Sequence, residues 1–430
     1  MRLAVFTTRY PARGATFFRR DMSALRSAGI EVDVFPIYPL DARLWRSGLD
    51  ILGKDAIPRD RVHHVGIGES LRHAWPWPPR KLGTFVRDAV AASASAARFG
   101  IVPLAKTAYV FSKAWSWAAR HADAYDHVLA YWGNYAGTCA YLFHRLVNRP
   151  IPFSIWLHAA TDLYRRQVYL REKLLYADNI ITCCEFNRHY IRNLYPDVAD
   201  LMSGKIHVCY HGLDLANFPY VPEQRPARRI IGVGRLAKHK GFDYLLRATH
   251  VLRCRGVAVE VELVGDGPES TALQALAGEL GIADRVHLRG WLNFSEVRAA
   301  MSRATILVHP SDGLGDGLPN VIREAMAVGT PVIASRVAGI PEALEDGRCG
   351  TLVPPKDVSA LADAIETLLG NEVLRRTYAA RARRRTQELF DLAQNGARLA
   401  ERLRSTTRLR QSEEAAQGSH FRRVRAGGQG

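Results

Sequence analysis

Ser311 to Ser335 reads SDGLGDGLPNVIREAMAVGTPVIAS. An apolar run, Ala304 to His309, comes just before it and reads as a buried strand ended by Pro310. The glycine-rich turn then opens into a helix with Pro319 near its first turn and Gly329 at its end, the positions those residues favour. The free N–H groups and positive dipole end of such a helix suit a phosphate. Asp316 stands at the mouth of the helix. Glu324, under two turns further in, is placed to accept both hydroxyls of a ribose, as acidic residues do in dinucleotide sites. The stretch predicts a strand–turn–helix unit that grips a nucleotide sugar. The bland alternative is an ordinary unit of this kind with Glu324 solvated on its surface.

The surrounding sequence supports the first reading. RRIIGVGRLAKHKGFDYLL, from Arg228 to Leu246, gives a strand, a turn with Gly232 and Gly234, and a helix from about Gly241. Arg235 and Lys240 lie at that helix start, where cations are mildly unfavourable against the dipole unless an anion joins them. A departing nucleoside diphosphate gains charge as its glycosidic bond breaks, and fixed cations stabilise that state more than the ground state. VAVEVELV, RVHLRGWL, ATILVHPS and PVIAS add strands, with helical stretches between them. RLAVFT, HVLAYW, PFSIWLH, NIITCCE and IHVCYHG repeat the pattern in the N-terminal half. Strands alternating with helices imply a parallel α/β sheet, whose ligands gather at the carboxyl ends of the strands.

DGLPNVIREAMAVGTPVIAS resembles the donor-binding motif of family 4 glycosyltransferases, and GRL…KG at Gly234 to Gly241 resembles the same family's diphosphate segment. The resemblance implies the GT-B fold: two Rossmann-like domains whose parallel sheets face a central cleft. It places an acceptor domain over 1–218, a nucleotide-sugar donor domain over 219–390, a helix over 391–410 returning to the N-terminal domain, and a disordered tail over 411–430. It assigns Arg235 and Lys240 to the diphosphate and Glu324 to the ribose. The donor sugar falls to Asp316, standing where the family usually has Glu, and to the backbone of Gly317, Leu318, Pro319 and Asn320. The turn Arg289–Trp291 matches the family's base-binding turn. The loop from Arg9 to Thr16 is similar to the family's first loop, where Gly14 lets backbone approach the diphosphate. His158, ending PFSIWLH, is similar to a strand-end His held against the donor sugar; by itself it could equally be a structural residue. The implied activity is retaining, hexosyl-type transfer from a nucleoside-diphosphate sugar to a polyprenyl-linked or oligosaccharide acceptor in bacterial surface-polysaccharide assembly.

Composition fits this layout. The 430 residues are 47% hydrophobic and 23% charged, as in a globular protein of two domains. Six cysteines form no CxxC pair, and no HExxH or His/Cys cluster occurs, so neither a metal nor another cofactor is expected. The net charge of +17 is concentrated: Arg72 to Arg120 carries eight basic residues against Asp88, and Asn371 to Gly430 carries fourteen Arg against six acids. Trp75, Trp77, Trp115 and Trp117 are interleaved with the first cluster. This mixture predicts one basic, aromatic face, made with a helix at Arg381–Arg410, that meets an anionic membrane from the cytoplasmic side without a spanning segment. A sugar-nucleotide epimerase or phosphorylase on the same fold is an alternative, and a basic nucleic-acid-binding protein another. The second has charge alone in its favour, with no nucleic-acid-binding motif.

Overall fold

The strands are short runs of β-branched, aliphatic and aromatic residues, and most are buried along their length, as a parallel sheet covered by helices on both faces requires. The computed structural model describes residues 1–11, 16–38, 57–66, 68, 81–121, 123–222 and 228–426. Gly14, Trp75 and Trp77 lie outside them. The chain divides into two units: Met1–Cys183 with Arg188–Cys209 and Ala393–Gly430, and Cys184–Asn187 with Tyr210–Leu392.

The first unit holds β1 (Arg2–Thr7), β2 (Glu31–Pro36), β3 (His127–Ala130), β4 (Phe153–Leu157), β5 (Asn179–Thr182) and β6 (Ile206–Val208), all parallel, in the order β2-β1-β3-β4-β5-β6. Its main helices are α1 (Thr16–Ser27), α2 (Leu82–Ala97), α3 (Ile101–His121), α4 (Tyr135–Leu146) and α5 (Leu170–Tyr176). Alternation along β1 sends Leu3 and Val5 to one face, with Phe18, Met22 and Leu25 of α1. Ala4 and Phe6 go to the other face, with Trp117 and Phe143.

The second unit holds β7 (Arg229–Val233), β8 (Glu260–Val264), β9 (Val286–Leu288), β10 (Ile306–His309), β11 (Val332–Ser335) and β12 (Thr351–Val353), in the order β12-β11-β10-β7-β8-β9. Its main helices are α6 (Phe242–Cys254), α7 (Ser270–Glu279), α8 (Phe294–Arg303), α9 (Asn320–Val328), α10 (Val358–Gly370) and α11 (Glu372–Leu389). The strand order reverses between β7 and β10, a topological switch point, and ligands of open α/β sheets bind beyond the strand ends at such a point.

A last helix, α12 (Leu392–Ala426), packs Leu399, Ala400 and Leu403 into the α1 side of the first unit. Polar side chains fasten it. Thr407 Oγ1 lies 3.1 Å from Nδ1 of the buried His127, Asn179 Nδ2 donates to Thr406 Oγ1 at 3.0 Å, and Arg410 pairs with Asp178 at 3.3 Å.

Three sequence expectations fail here. Backbone of 411–426, expected to be disordered, continues α12 as helix. Arg381 to Arg410 is two helices, and α11 belongs to the second unit. There Arg383 donates to the carbonyls of Phe218 (2.9 Å) and Ala327 (2.6 Å), and Arg385 to those of Ala343 (3.0 Å) and Glu342 (2.6 Å). Those guanidiniums are engaged by backbone carbonyls of the second unit. Nor do the two tryptophans of α3 form an exposed aromatic face: Trp117 is fully buried in the core and Trp115, partly buried, packs on Phe85, their ring centroids 4.9 Å apart.

Candidate functional site

In the second unit two loops, one after each switch-point strand, are drawn together by glycine. Gly241, at φ +68, closes the turn Lys238–Lys240; a Cβ there would stand 2.0 Å from the Pro310 carbonyl oxygen, which follows β10. The His239 carbonyl accepts from Asp312 N–H at 3.1 Å. This close approach sets Lys240 Nζ in an ion pair with Asp316 Oδ2. The two sequence-predicted residues therefore meet.

Beneath them lies a residue that sequence reasoning missed. His309, the buried last residue of β10, points Nε2 at Asp316 Oδ2 (3.6 Å) and at Ser311 Oγ (3.0 Å). Burial pushes its imidazole pKa down, so it is neutral at pH 7. Burial alone would raise the Asp316 carboxyl, but Lys240 and then His309 outweigh it and hold the group well below the usual carboxylate range. Asp316 is thus ionised, with 28% of its side chain exposed, while Lys240 keeps 12%. The signal for His309 was its place at the end of ILVH, since strand-end polar residues at a switch point face the ligand side.

Beyond Asp316, Gly317, Leu318 and Pro319 are buried, and Gly317 O accepts from Gly339 N–H at 2.8 Å. Pro319 leads into α9, which ends at Gly329 in the left-handed region (φ 78) as the sequence predicts. No side chain caps the α9 start, so its first N–H groups face whatever occupies the loop. Asn320 takes a hydrogen bond from the buried Arg323, whose guanidinium also donates to His211 O and lies 5.5 Å from the Phe390 ring. Glu324 is buried one residue later, 7% exposed. Arg235 stands exposed past β7, in no ion pair with a described residue. Trp291, in the turn after β9, is 58% exposed.

His158 lies in the first unit, where a different device holds it. Asp162 is fully buried in a short π-type turn, Ala160–Tyr164. Its carboxylate accepts backbone N–H from His158 (3.0 Å), Ala159 (2.9 Å) and Gly133 (3.4 Å), and faces His158 Nδ1 at 3.2 Å. That acceptor keeps a proton on Nδ1. Tyr131, Trp132 and Phe17 pack their rings around the imidazole at 4.8, 4.5 and 5.5 Å. Lys173, also fully buried, donates to Gly133 O (2.6 Å) and Thr138 Oγ1 (3.1 Å); burial pulls its pKa down to about 7.

At the helix start at Glu185, the carboxylate of Glu342 accepts from Glu185 N–H (2.8 Å) and Phe186 N–H (3.4 Å). Among the described residues no group of three His, Cys, Asp or Glu side chains is placed to hold a metal ion.

Residues 227–371 match the family described as Glycosyl transferases group 1. Over 167 residues the chain is 36% identical to WcaL of Escherichia coli, named for glycosyl transfer in colanic acid biosynthesis, covering 37% of this chain and 41% of that protein. The amylovoran biosynthesis glycosyltransferase AmsK of Erwinia amylovora is 34% identical over 165 residues, 37% of this chain and 40% of its own length. The chain thus spans about two fifths of the length of these relatives. A sucrose-phosphate synthase from Thermosynechococcus elongatus shares the fold with a TM-score of 0.70 at 20% identity, over 94% of this chain and 98% of that one. HepE of Anabaena, solved with UDP-glucose, gives 0.68 at 19% identity, over 94% and 100%. The fold is GT-B. Residues 227–371 carry the signature of the group 1 glycosyltransferases.

Proposed function

We propose that the protein is a retaining glycosyltransferase that moves a hexosyl group from a nucleoside-diphosphate sugar to a polyprenyl-linked glycan during bacterial exopolysaccharide, capsule or lipopolysaccharide assembly. The carrying observation is the Lys240–Asp316 pair at the β7/β10 switch point, one loop ahead of the uncapped start of α9 and the buried Glu324. Relatives named for colanic acid and amylovoran biosynthesis favour a surface polysaccharide as product. A UDP-sugar is the first donor to test, because HepE was solved with one.

In this reading Lys240 and the exposed Arg235 take the diphosphate, and Asp316, released from part of its pairing, accepts a sugar hydroxyl. The α9 N-terminus with the backbone of Gly317–Asn320 holds the sugar and phosphates, and Glu324 takes the ribose. As the glycosidic bond breaks, charge grows on the departing diphosphate, and the two cations stabilise it there. The acceptor hydroxyl adds on the face the diphosphate leaves, and a phosphate oxygen receives its proton, so configuration is kept without a protein nucleophile. The cations do the work a divalent ion does elsewhere, and transfer is metal-independent. His158 steadies the donor sugar. The protein works peripherally at the cytoplasmic face of the membrane; among the described residues no helix is long and apolar enough to cross one.

A thermal-shift panel of nucleotide sugars tests the proposal, since a true donor raises the melting temperature by mass action. Glu324→Ala should weaken that donor by about 1–3 kcal/mol, the consequence of unpaired buried hydrogen-bond groups. No shift with any nucleotide sugar, or an unchanged shift in the variant, removes the assignment. Product analysis then separates transfer from epimerisation and phosphorolysis.

A further inference from the structure

Helix α2 is apolar on two sides. Its inner side buries Ala92 and Ala96, together with Asp88, which pairs with Arg145 at 2.6 Å. Its outer side carries Leu82, Val86 and Val90 at helical spacing, exposed by 46, 50 and 63%. The turn and the first residues of α3 continue the strip with Phe99, Ile101 and Val102, exposed by 41, 76 and 59%. Six of the thirteen exposed large hydrophobics of the described residues fall in these twenty-one positions, Leu82 to Val102. Alongside runs a groove of about 500 Å³ walled by Phe85, Ala89, Val90, Ala94 and Leu104, with Ser93 its one polar wall residue. Scattered exposed aliphatics need no explanation, but a contiguous strip with a groove marks a surface that something covers.

The charges around it select the occupant. Arg87, Arg98 and Lys106 are exposed on the hairpin, and its single carboxylate, Asp88, is buried and paired with Arg145 and, at 3.4 Å, with Arg87. The hairpin therefore shows cations and apolar, mainly aliphatic carbon and no exposed acid. A second copy meeting this face about a twofold axis would set these cations near their own equivalents, which is repulsive. Nucleic acid would meet mainly aliphatic side chains where stacking rings are needed, because Phe99 is the strip's single exposed ring, Trp117 is buried and Trp115 is partly buried against Phe85. An anionic bilayer fits both parts, with phosphates at headgroup level and acyl chain beneath.

We propose that the α2–α3 hairpin is a membrane-insertion element. Leu82, Val86, Val90, Ile101 and Val102 enter the boundary between headgroups and acyl chains, and Arg87, Arg98 and Lys106 bind headgroup phosphates. This rests on the reading that the acceptor is borne by lipid, and replaces the expected aromatic face with an aliphatic one.

The test is cosedimentation of the full chain with phosphatidylcholine vesicles, with and without phosphatidylglycerol, across a salt series. Wild type should bind the anionic vesicles and keep part of that binding at high salt, since apolar burial is not screened. Val90→Ser with Ile101→Ser and Val102→Ser should weaken binding at least about tenfold at every salt concentration. Arg98→Glu with Lys106→Glu should weaken it at low salt and converge on wild type as salt rises. All five positions are exposed, so nucleotide binding and melting temperature should match wild type. Failure of wild type to bind anionic vesicles at low salt overturns the proposal, as does wild-type binding by the serine variant. So does a dimer that the serine variant dissociates, which would make the face a contact between copies. If vesicle binding obeys these expectations while no nucleotide sugar is bound or transferred, the proposed function falls and the insertion element stands.

Discussion

Asp162 in the first unit and Asp316 in the second both follow the carboxyl end of a parallel strand, yet their surroundings are opposite. Asp162 is sealed, and its oxygens are committed to three backbone N–H groups and the His158 ring. Asp316 is part exposed, with a flexible ammonium as its main partner and a neutral imidazole below. A carboxylate bound to backbone donors cannot leave them without unfolding its loop. One paired with a lysine can exchange it for a ligand group at small cost, because partly exposed ion pairs contribute little net energy. Asp162 is scaffold, and Asp316 belongs to the surface that a ligand meets. Burial and partner type separate these roles, although residue type and distance from the strand are alike.

The sharpest way to break this contrast is Lys240→Ala. Turnover should fall about 10²–10³-fold, the usual effect of removing one group that stabilises developing charge. The melting temperature should barely move. Kinetics and melting of the same preparation check both, and a large loss of stability with normal turnover would make the pair structural after all. Asp162→Asn should do the reverse, lowering stability by about 2–3 kcal/mol in denaturant unfolding, since an amide nitrogen cannot accept the N–H groups left beside it. A stable variant that has lost donor binding instead would move Asp162 into the ligand site.

The smallest effect concerns Lys173. Its folded pKa is depressed from 10.5 to about 7, so between those values the unfolded chain binds the proton that the folded chain releases. Stability from this group therefore rises with pH from about 7 to 10.5, and is lowest below 7, where the buried ammonium is charged. Lys173→Met should flatten that part of the stability–pH curve, measured by denaturant midpoints. An unchanged slope would assign the dependence to other groups.

The second unit was the more legible. Gly232, Gly234, Pro319 and Gly329 are turn signals with fixed geometric meaning, and they located β7, the start of α9 and its end, and with them Lys240, Asp316 and Glu324. The three-residue strand β12 left no such mark between its flanking turns. His309 escaped notice because a histidine closing an apolar run looks the same whether its ring meets solvent or a carboxylate. The basic segments misled for a related reason. Charge and ring counts in a window do not say which way a helix faces, and α2–α3 buries Trp117 while Val86, Val90 and Val102 stand exposed. Arg383 and Arg385 count as surface charge in the sequence, though each serves backbone carbonyls. Partners hundreds of residues away, as between His127 and Thr407, are invisible to any local pattern.

That last pairing orders events during synthesis. The second unit's main stretch, Tyr210–Leu392, leaves the ribosome as one piece with its whole sheet. The first unit, though begun earlier, still lacks the Thr406 and Thr407 hydroxyls that Asn179 and His127 bond, and the Leu399–Leu403 stretch that covers Leu3 and Val5. The first unit, although it begins the chain, can therefore complete its packing only after the second unit's stretch has been made.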